Sequence, residues 1–176
     1  MSVTSGIEPM SIEQLGLLQK ILLSTDGTVT DLIMLYTGED IRVRKVRQEL
    51  AVGEAPAVLQ CKGPVRVLRR QILLHGAQRN YLYADSQFVF ERFSATLQRQ
   101  LLETDEPIGL LWKRERFEAF REIIDKRVLH CPQIAPHFAL PPDTWFVSRT
   151  YLIHHGGKPL GAITEQWPAS SFSQAP

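Results

Sequence analysis

TWFVSRTYLIHHGGKPLGAITEQWP, residues Thr144–Pro168, carries the pattern that decides the fold. Side chains alternate along an extended chain, so Val147, Arg149, Tyr151 and Ile153 share one side. Gly161, Ile163, Glu165 and Trp167 share one side of the following run in the same way. Between the two runs stand Gly156 and Gly157, the residue type that accepts the positive φ of a two-residue hairpin turn. The stretch predicts two antiparallel strands joined by a tight turn. With such a loop, His155 faces Lys158, and counting outward sets Arg149 opposite Thr164 and Glu165 opposite Ser148. That parity leaves Arg149 and Glu165 on different faces unless a bulge shifts it.

Working outward, Arg66–His75 and Tyr81–Phe90 read as two more strands around the turn-like Gly76–Asn80, and Ile41–Val46 as another. Helical spacing runs through Ser11–Ser24, which opens on Ser11 and Gln14 as a capping pattern. Thr28-Val29-Thr30-Asp31 repeats that signature ahead of Leu32, Ile33 and Leu35. Ser94 suits the start of a helix to about Leu102, and Pro107 the first turn of the next. Arg114–Val128 sets Phe117, Phe120, Ile124 and Val128 along one helical face, and His130–Asp143 is a proline-rich connection. Hairpins mixed with helices predict an α+β domain, a single antiparallel sheet with helices packed on it.

The 176 residues suit one domain. Its core is expected over about 11–168, with 169–176 as a flexible tail. Hydrophobic residues at 44% and charged residues at 22% are globular proportions. A net charge of +1 gives no footing for nucleic acid. No apolar run approaches the roughly 18 residues of a membrane span, and Met1–Pro9 lacks the form of a signal peptide. Cys61 and Cys131 stand far apart without a CxxC pattern and read as free thiols in a reducing, cytoplasmic setting, with a disulfide between them as the lesser alternative. The five histidines form no metal-binding motif, and the chain has no P-loop, GxSxG or GxGxxG. No metal is expected, and the protein is expected to be a monomer.

Three strands each bring one ionisable group onto an apolar side. Arg70 shares its side with Leu68, Ile72 and Leu74; Arg149 and Glu165 do so in the closing hairpin. A buried guanidinium keeps its proton and must find an anion, either a protein carboxylate or a ligand. A single such residue snorkels to water more often than it binds anything. Three together point to a polar site in a sheet-walled cavity, or to an internal ion pair. Thr28–Thr30 and Pro107–Gly109 each fall where a helix begins and backbone N–H groups lack partners, which favours carboxylates.

In their order and spacing, DGTVTDLI (Asp26–Ile33), VLRRQILLHG (Val67–Gly76), EPIGLLW (Glu106–Trp112) and RTYLIHHGGKPLGAITEQWP (Arg149–Pro168) resemble the chorismate pyruvate-lyase family. The likeness runs from about Asp26 to Pro168 and is to the branch with cyanobacterial, plastid and mycobacterial members. It implies an antiparallel sheet with packed helices and an enclosed ligand site. It also implies loss of pyruvate from chorismate to leave 4-hydroxybenzoate, a precursor of plastoquinone- and ubiquinone-type rings, without a cofactor. Carried across by motif, the arginine of the family's R-x-ILL strand falls on Arg70, where it would bind the ring carboxylate. The glutamate of its terminal TE falls on Glu165, near the 4-hydroxyl. Its two backbone contacts fall on Val29 and Ile108. The resemblance thus makes Arg70 and Glu165 the catalytic pair and adds Val29 and Ile108 as substrate-binding positions. It makes the anion for Arg70 a ligand carboxylate.

A rival expectation comes from another class. The same fold serves as the effector-binding part of some bacterial transcription regulators, so a non-catalytic small-molecule sensor competes with the lyase. A lyase acting on a related aromatic precursor is a third. About 25 residues precede the first family motif, too few for a winged-helix or helix-turn-helix domain, and the retained Arg70 and Glu165 make the lyase the expectation.

Overall fold

The computed structural model describes residues 10–172. Six strands form one sheet in the order β1-β2-β3-β6-β5-β4. They are β1 (Arg42–Gly53), β2 (Val65–His75), β3 (Asn80–Val89), β4 (Phe120–His130), β5 (Trp145–His155) and β6 (Lys158–Pro168). Every neighbouring pair is antiparallel. The sheet is thus two three-strand meanders joined at the centre by β3 and β6. Between the meanders run α3 (Ala95–Glu103) and α4 (Ile108–Arg114), while α1 (Leu17–Ser24) and α2 (Val29–Thr37) precede β1. The α+β, single-sheet class is the one that the hairpin pattern predicts.

The main core lies between the helices and one face of the sheet. Leu22, Leu23 and Ile33 from the helices meet Leu68, Leu82, Phe88 and Trp167 from the strands, all buried. The opposite face carries two smaller clusters, one around Leu73, Tyr83 and Phe146 and one around Leu59, Val89 and Leu152. Gly156 and Gly157 take φ of 57° and 76°, the left-handed values that their two-residue turn demands. Among the described residues, no helix is long and apolar enough to cross a membrane.

Four local expectations need correction. Residues 120–130 form a strand, not the end of a helix over Arg114–Val128. A bulge between Ile123 and Asp125 breaks their alternation, so the inward residues before it and Val128 after it no longer differ by an even number. The remaining apolar residues then fall at a false helical period. The Ser11–Ser24 helix is interrupted: a single turn at Ile12–Gln14 precedes α1, and Gly16 stands at its N-cap. Thr28 occupies the N-cap of α2, but its side chain makes no capping bond. The segment expected to fray begins with packed residues. Gln19 donates at 2.7 Å to both the Ala169 and Ser171 carbonyls, and buried Phe172 lies against Tyr36 and Tyr81. Residues 1–9 and 173–176 lie outside the described residues, so the reading of Met1–Pro9 and the rest of the tail are not addressed.

Candidate active site

On its helix-covered face the sheet floors a cavity with about 570 Å³ of empty space, its mouth included. The floor is laid out by cross-strand register. One row reads Arg70, Ser86, Ile163, Tyr151 across β2, β3, β6 and β5; the next reads Ile72, Ala84, Glu165, Arg149. The first turns of α2 and α4 form the roof. All four positions singled out in the sequence, Arg70, Glu165, Val29 and Ile108, line this one cavity.

Arg70 is 4% exposed. Its Nε is buried without a partner, and among the described residues its side chain makes neither hydrogen bond nor ion pair. Burial holds its pKa below the usual guanidinium value, with the charge of Asp105 opposing that only partly. Ser86, across the ladder, donates its hydroxyl to the Arg70 carbonyl at 3.2 Å and leaves the guanidinium alone. A buried cation without a counterion is costly, so this residue is set up to receive an anion.

Glu165 is 8% exposed and fully engaged by protein. Arg149 Nε donates to its Oε2 at 2.7 Å, and the Tyr151 hydroxyl to its Oε1 at 3.0 Å. The expected parity of the hairpin is therefore wrong. The register slips between Ile153 and His154, where Pro159 on the facing strand has no N–H for the ladder, and Arg149 comes to face Glu165 directly. No internal pair joins Arg70 to Glu165 either, since the glutamate is taken by Arg149 and, among the described residues, Arg70 forms no ion pair. Arg149, 1% exposed, also donates to the Thr25 carbonyl at 2.8 Å, tying the glutamate to the loop ahead of α2. Burial, the largest single influence, would lower the Arg149 pKa, but the Glu165 charge, the Tyr151 phenol and the hydrogen bonds to them together outweigh it, and the net shift is upward. Tyr151 is pushed far above the ordinary phenol range, by burial first and by the Glu165 charge second. It remains a hydrogen-bond donor at any ordinary pH.

The two helix starts touch. A Cβ on Gly109 would come within 2.8 Å of Thr28 Cγ2, so only glycine lets α4 approach α2 this closely. No side chain caps Val29 or Ile108, which leaves first-turn N–H groups toward the cavity. Sequence reasoning missed three further polar lining residues, Ser86, Tyr151 and Arg121. Tyr151 shares the apolar side that drew notice to Arg149. Arg121 was hidden in the stretch mistaken for a helix. Among the described residues, no group of three or more His, Cys, Asp or Glu is placed to hold a metal ion.

The Rv2949c-like chorismate pyruvate-lyase family model matches residues 23–173. A chorismate pyruvate-lyase of Mycobacterium tuberculosis is 28% identical over 164 residues, spanning 89% of this chain and 82% of that one. The Mycobacterium leprae protein of that name is 29% identical, over 89% of this chain and 77% of its own. Among solved structures, the effector domain of PhnF from Mycobacterium smegmatis superposes with a TM-score of 0.65 at 11% identity, covering 84% of this chain and 91% of that one. At that identity the likeness is one of fold alone. With a family model spanning nearly the whole domain and relatives matched along most of their length, the chain belongs to the Rv2949c-like chorismate pyruvate-lyase family.

Proposed function

We propose that the protein removes pyruvate from chorismate to leave 4-hydroxybenzoate. The observation that carries this reading is the uncompensated Arg70, buried in the same cavity as an ionisable Glu165. Chorismate has a ring carboxylate, an enolpyruvyl ether at C3 and a hydroxyl at C4. Loss of the C4 proton and cleavage of the C3–O bond make the ring aromatic, and the departing enolpyruvate takes up a proton to become pyruvate. No electrons enter or leave, so the chemistry needs no redox partner.

In this reading Arg70 binds the ring carboxylate through its planar fork, assisted by the backbone amides of Val29 and Ile108. Glu165 lies two strands away on the same floor, with Ala84 and Ile72 beside it in its row. It accepts the C4 proton or orients the hydroxyl. Arg149 and Tyr151 act through Glu165: each holds one carboxylate oxygen, which fixes the group facing the ring. The apolar floor of Ile72, Leu74 and Leu82 suits the ring itself. The product would serve as a precursor of quinone rings. A cytoplasmic monomer fits the same reading: both edge strands are studded with charge, from Arg42, Arg44 and Arg47 on β1 to Glu122, Asp125 and Arg127 on β4, which discourages pairing with another chain.

Incubation with chorismate, with 4-hydroxybenzoate and pyruvate measured together, tests the proposal. Equimolar release of both, undiminished by EDTA, is the expected result. A loss of activity in EDTA that a divalent ion restores would overturn the metal-free mechanism. The rival sensor reading draws on the fold likeness to PhnF. It predicts that aromatic carboxylates bind and nothing is turned over.

A further inference from the structure

Arg121 is a second guanidinium lining the cavity, and the proposed chemistry leaves it without a role. It stands on β4 opposite Ile153, partly exposed. Its Nη1 donates to the Asp26 carbonyl at 2.7 Å, and its guanidinium carbon lies 5.7 Å from the centre of the Trp112 ring. Neither partner is an anion. Among the described residues it forms no ion pair, and of the several N–H donors of its fork only one is engaged. Its charge nevertheless reaches the interior, since it acts on the Tyr151 phenol.

The order of the strands gives this position its meaning. Arg70 is on β2 and Arg121 on β4, with β3, β6 and β5 between them, and Glu165 and Tyr151 stand on those intervening strands. The cavity therefore has a cation at each end and the carboxylate of Glu165 between. A monoanion uses one end of such a site; a dianion uses both. We propose that Arg121 receives the second carboxylate of a dianionic substrate, the one on the side chain that departs, and so separates substrate from product. This inference rests on the lyase reading for the identity of the substrate. The Asp26 carbonyl is then a resting partner, and a charge-assisted bond to carboxylate replaces it when substrate enters. The product carries one carboxylate and gains nothing from Arg121, which favours its departure.

Two probes isolate the effect: benzoate bearing an enolpyruvyl ether at C3, and 3-methoxybenzoate, its monoanionic counterpart. The variant of choice is Arg121→Gln, because glutamine still offers a neutral donor to the Asp26 carbonyl while the charge is gone. Titration calorimetry on the wild type is expected to show tighter binding of the dianion by about ten- to hundredfold. Arg121→Gln should erase most of that preference while its affinity for 4-hydroxybenzoate stays within about twofold, and Arg121→Lys should restore part of it. A preference kept intact in Arg121→Gln would overturn the assignment. So would a parallel loss of affinity for all three ligands with a lowered melting temperature, which marks Arg121 as only a pin for the Asp26 loop. Should Arg121→Gln fail to fold, the Lys variant and the wild-type comparison decide, since a wild type indifferent to the second carboxylate overturns the inference outright. Failure of the lyase reading shows separately: chorismate is not turned over, yet the Arg121-dependent preference persists.

Discussion

Replacing Arg70 with methionine should raise the melting temperature while abolishing measurable binding of 4-hydroxybenzoate. The guanidinium is buried with its Nε unpartnered, and an unsatisfied buried group costs roughly 1–3 kcal/mol. Methionine fills similar space without that cost, so thermal melting beside calorimetry checks both halves; a destabilised variant would show that a protein partner was lost. Glu165→Gln should behave in the opposite sense. It strands Arg149 as a buried charge, for roughly 3–5 kcal/mol of stability, and lowers turnover by about 10²–10⁴ if Glu165 is the base. In a double-mutant cycle, Arg149→Met should recover much of the stability that Glu165→Gln loses and none of the turnover. Arg70 and Glu165 were legible because an ionisable residue interrupts an apolar alternation, which needs no tertiary information to see. Their relation to Arg149 was not legible, because a one-residue slip at Pro159 inverts the parity of everything beyond it.

At the level of elements, the two helix starts offer the sharpest tests. Val29 is the first residue of α2, where proline keeps the helix and removes only the amide hydrogen. Val29→Pro should weaken 4-hydroxybenzoate binding by roughly 1–3 kcal/mol and Val29→Ala much less; equal affinities in two folded variants would count against a backbone contact. Gly109→Ala should separate α4 from α2, since the new methyl meets Thr28 Cγ2 at 2.8 Å. Pairing it with Thr28→Ser, which removes that carbon, should restore ligand affinity; a double variant as weak as Gly109→Ala would mean the closeness of the helices is immaterial. The elements themselves were mostly readable from capping residues and alternation. β4 was not, because its bulge and its exposed Phe120 and Ile124 disguise a half-covered edge strand as a helix. Arg121 went unseen with it.

For the molecule as a whole, the joining of the two meanders through β3 and β6 was beyond sequence reasoning. Strands separated by so much chain carry no local sign of whom they meet. Tyr151 lies buried on β5, one strand in from the β4 edge, and its raised pKa makes stability fall at alkaline pH. The folded protein keeps the phenol proton while the unfolded chain releases it near its ordinary value of about 10. The tyrosine's contribution is therefore whole below about pH 10 and is lost as pH climbs from there toward the higher folded value. Melting curves at increasing pH should show wild type falling more steeply above about pH 10 than Tyr151→Phe, even though the variant starts lower at neutral pH; parallel curves would refute the link. The register of the floor has a further consequence. Strands keep a spacing of roughly 4.8 Å, and inward side chains along one strand recur at roughly 7 Å. The charged stations at Arg70, Glu165 and Arg121 therefore form a stepped gauge and not an elastic glove. A ligand with its carboxylates differently disposed cannot be met by a gradual adjustment; it requires an arginine at another notch, such as position 123, the next inward place on β4.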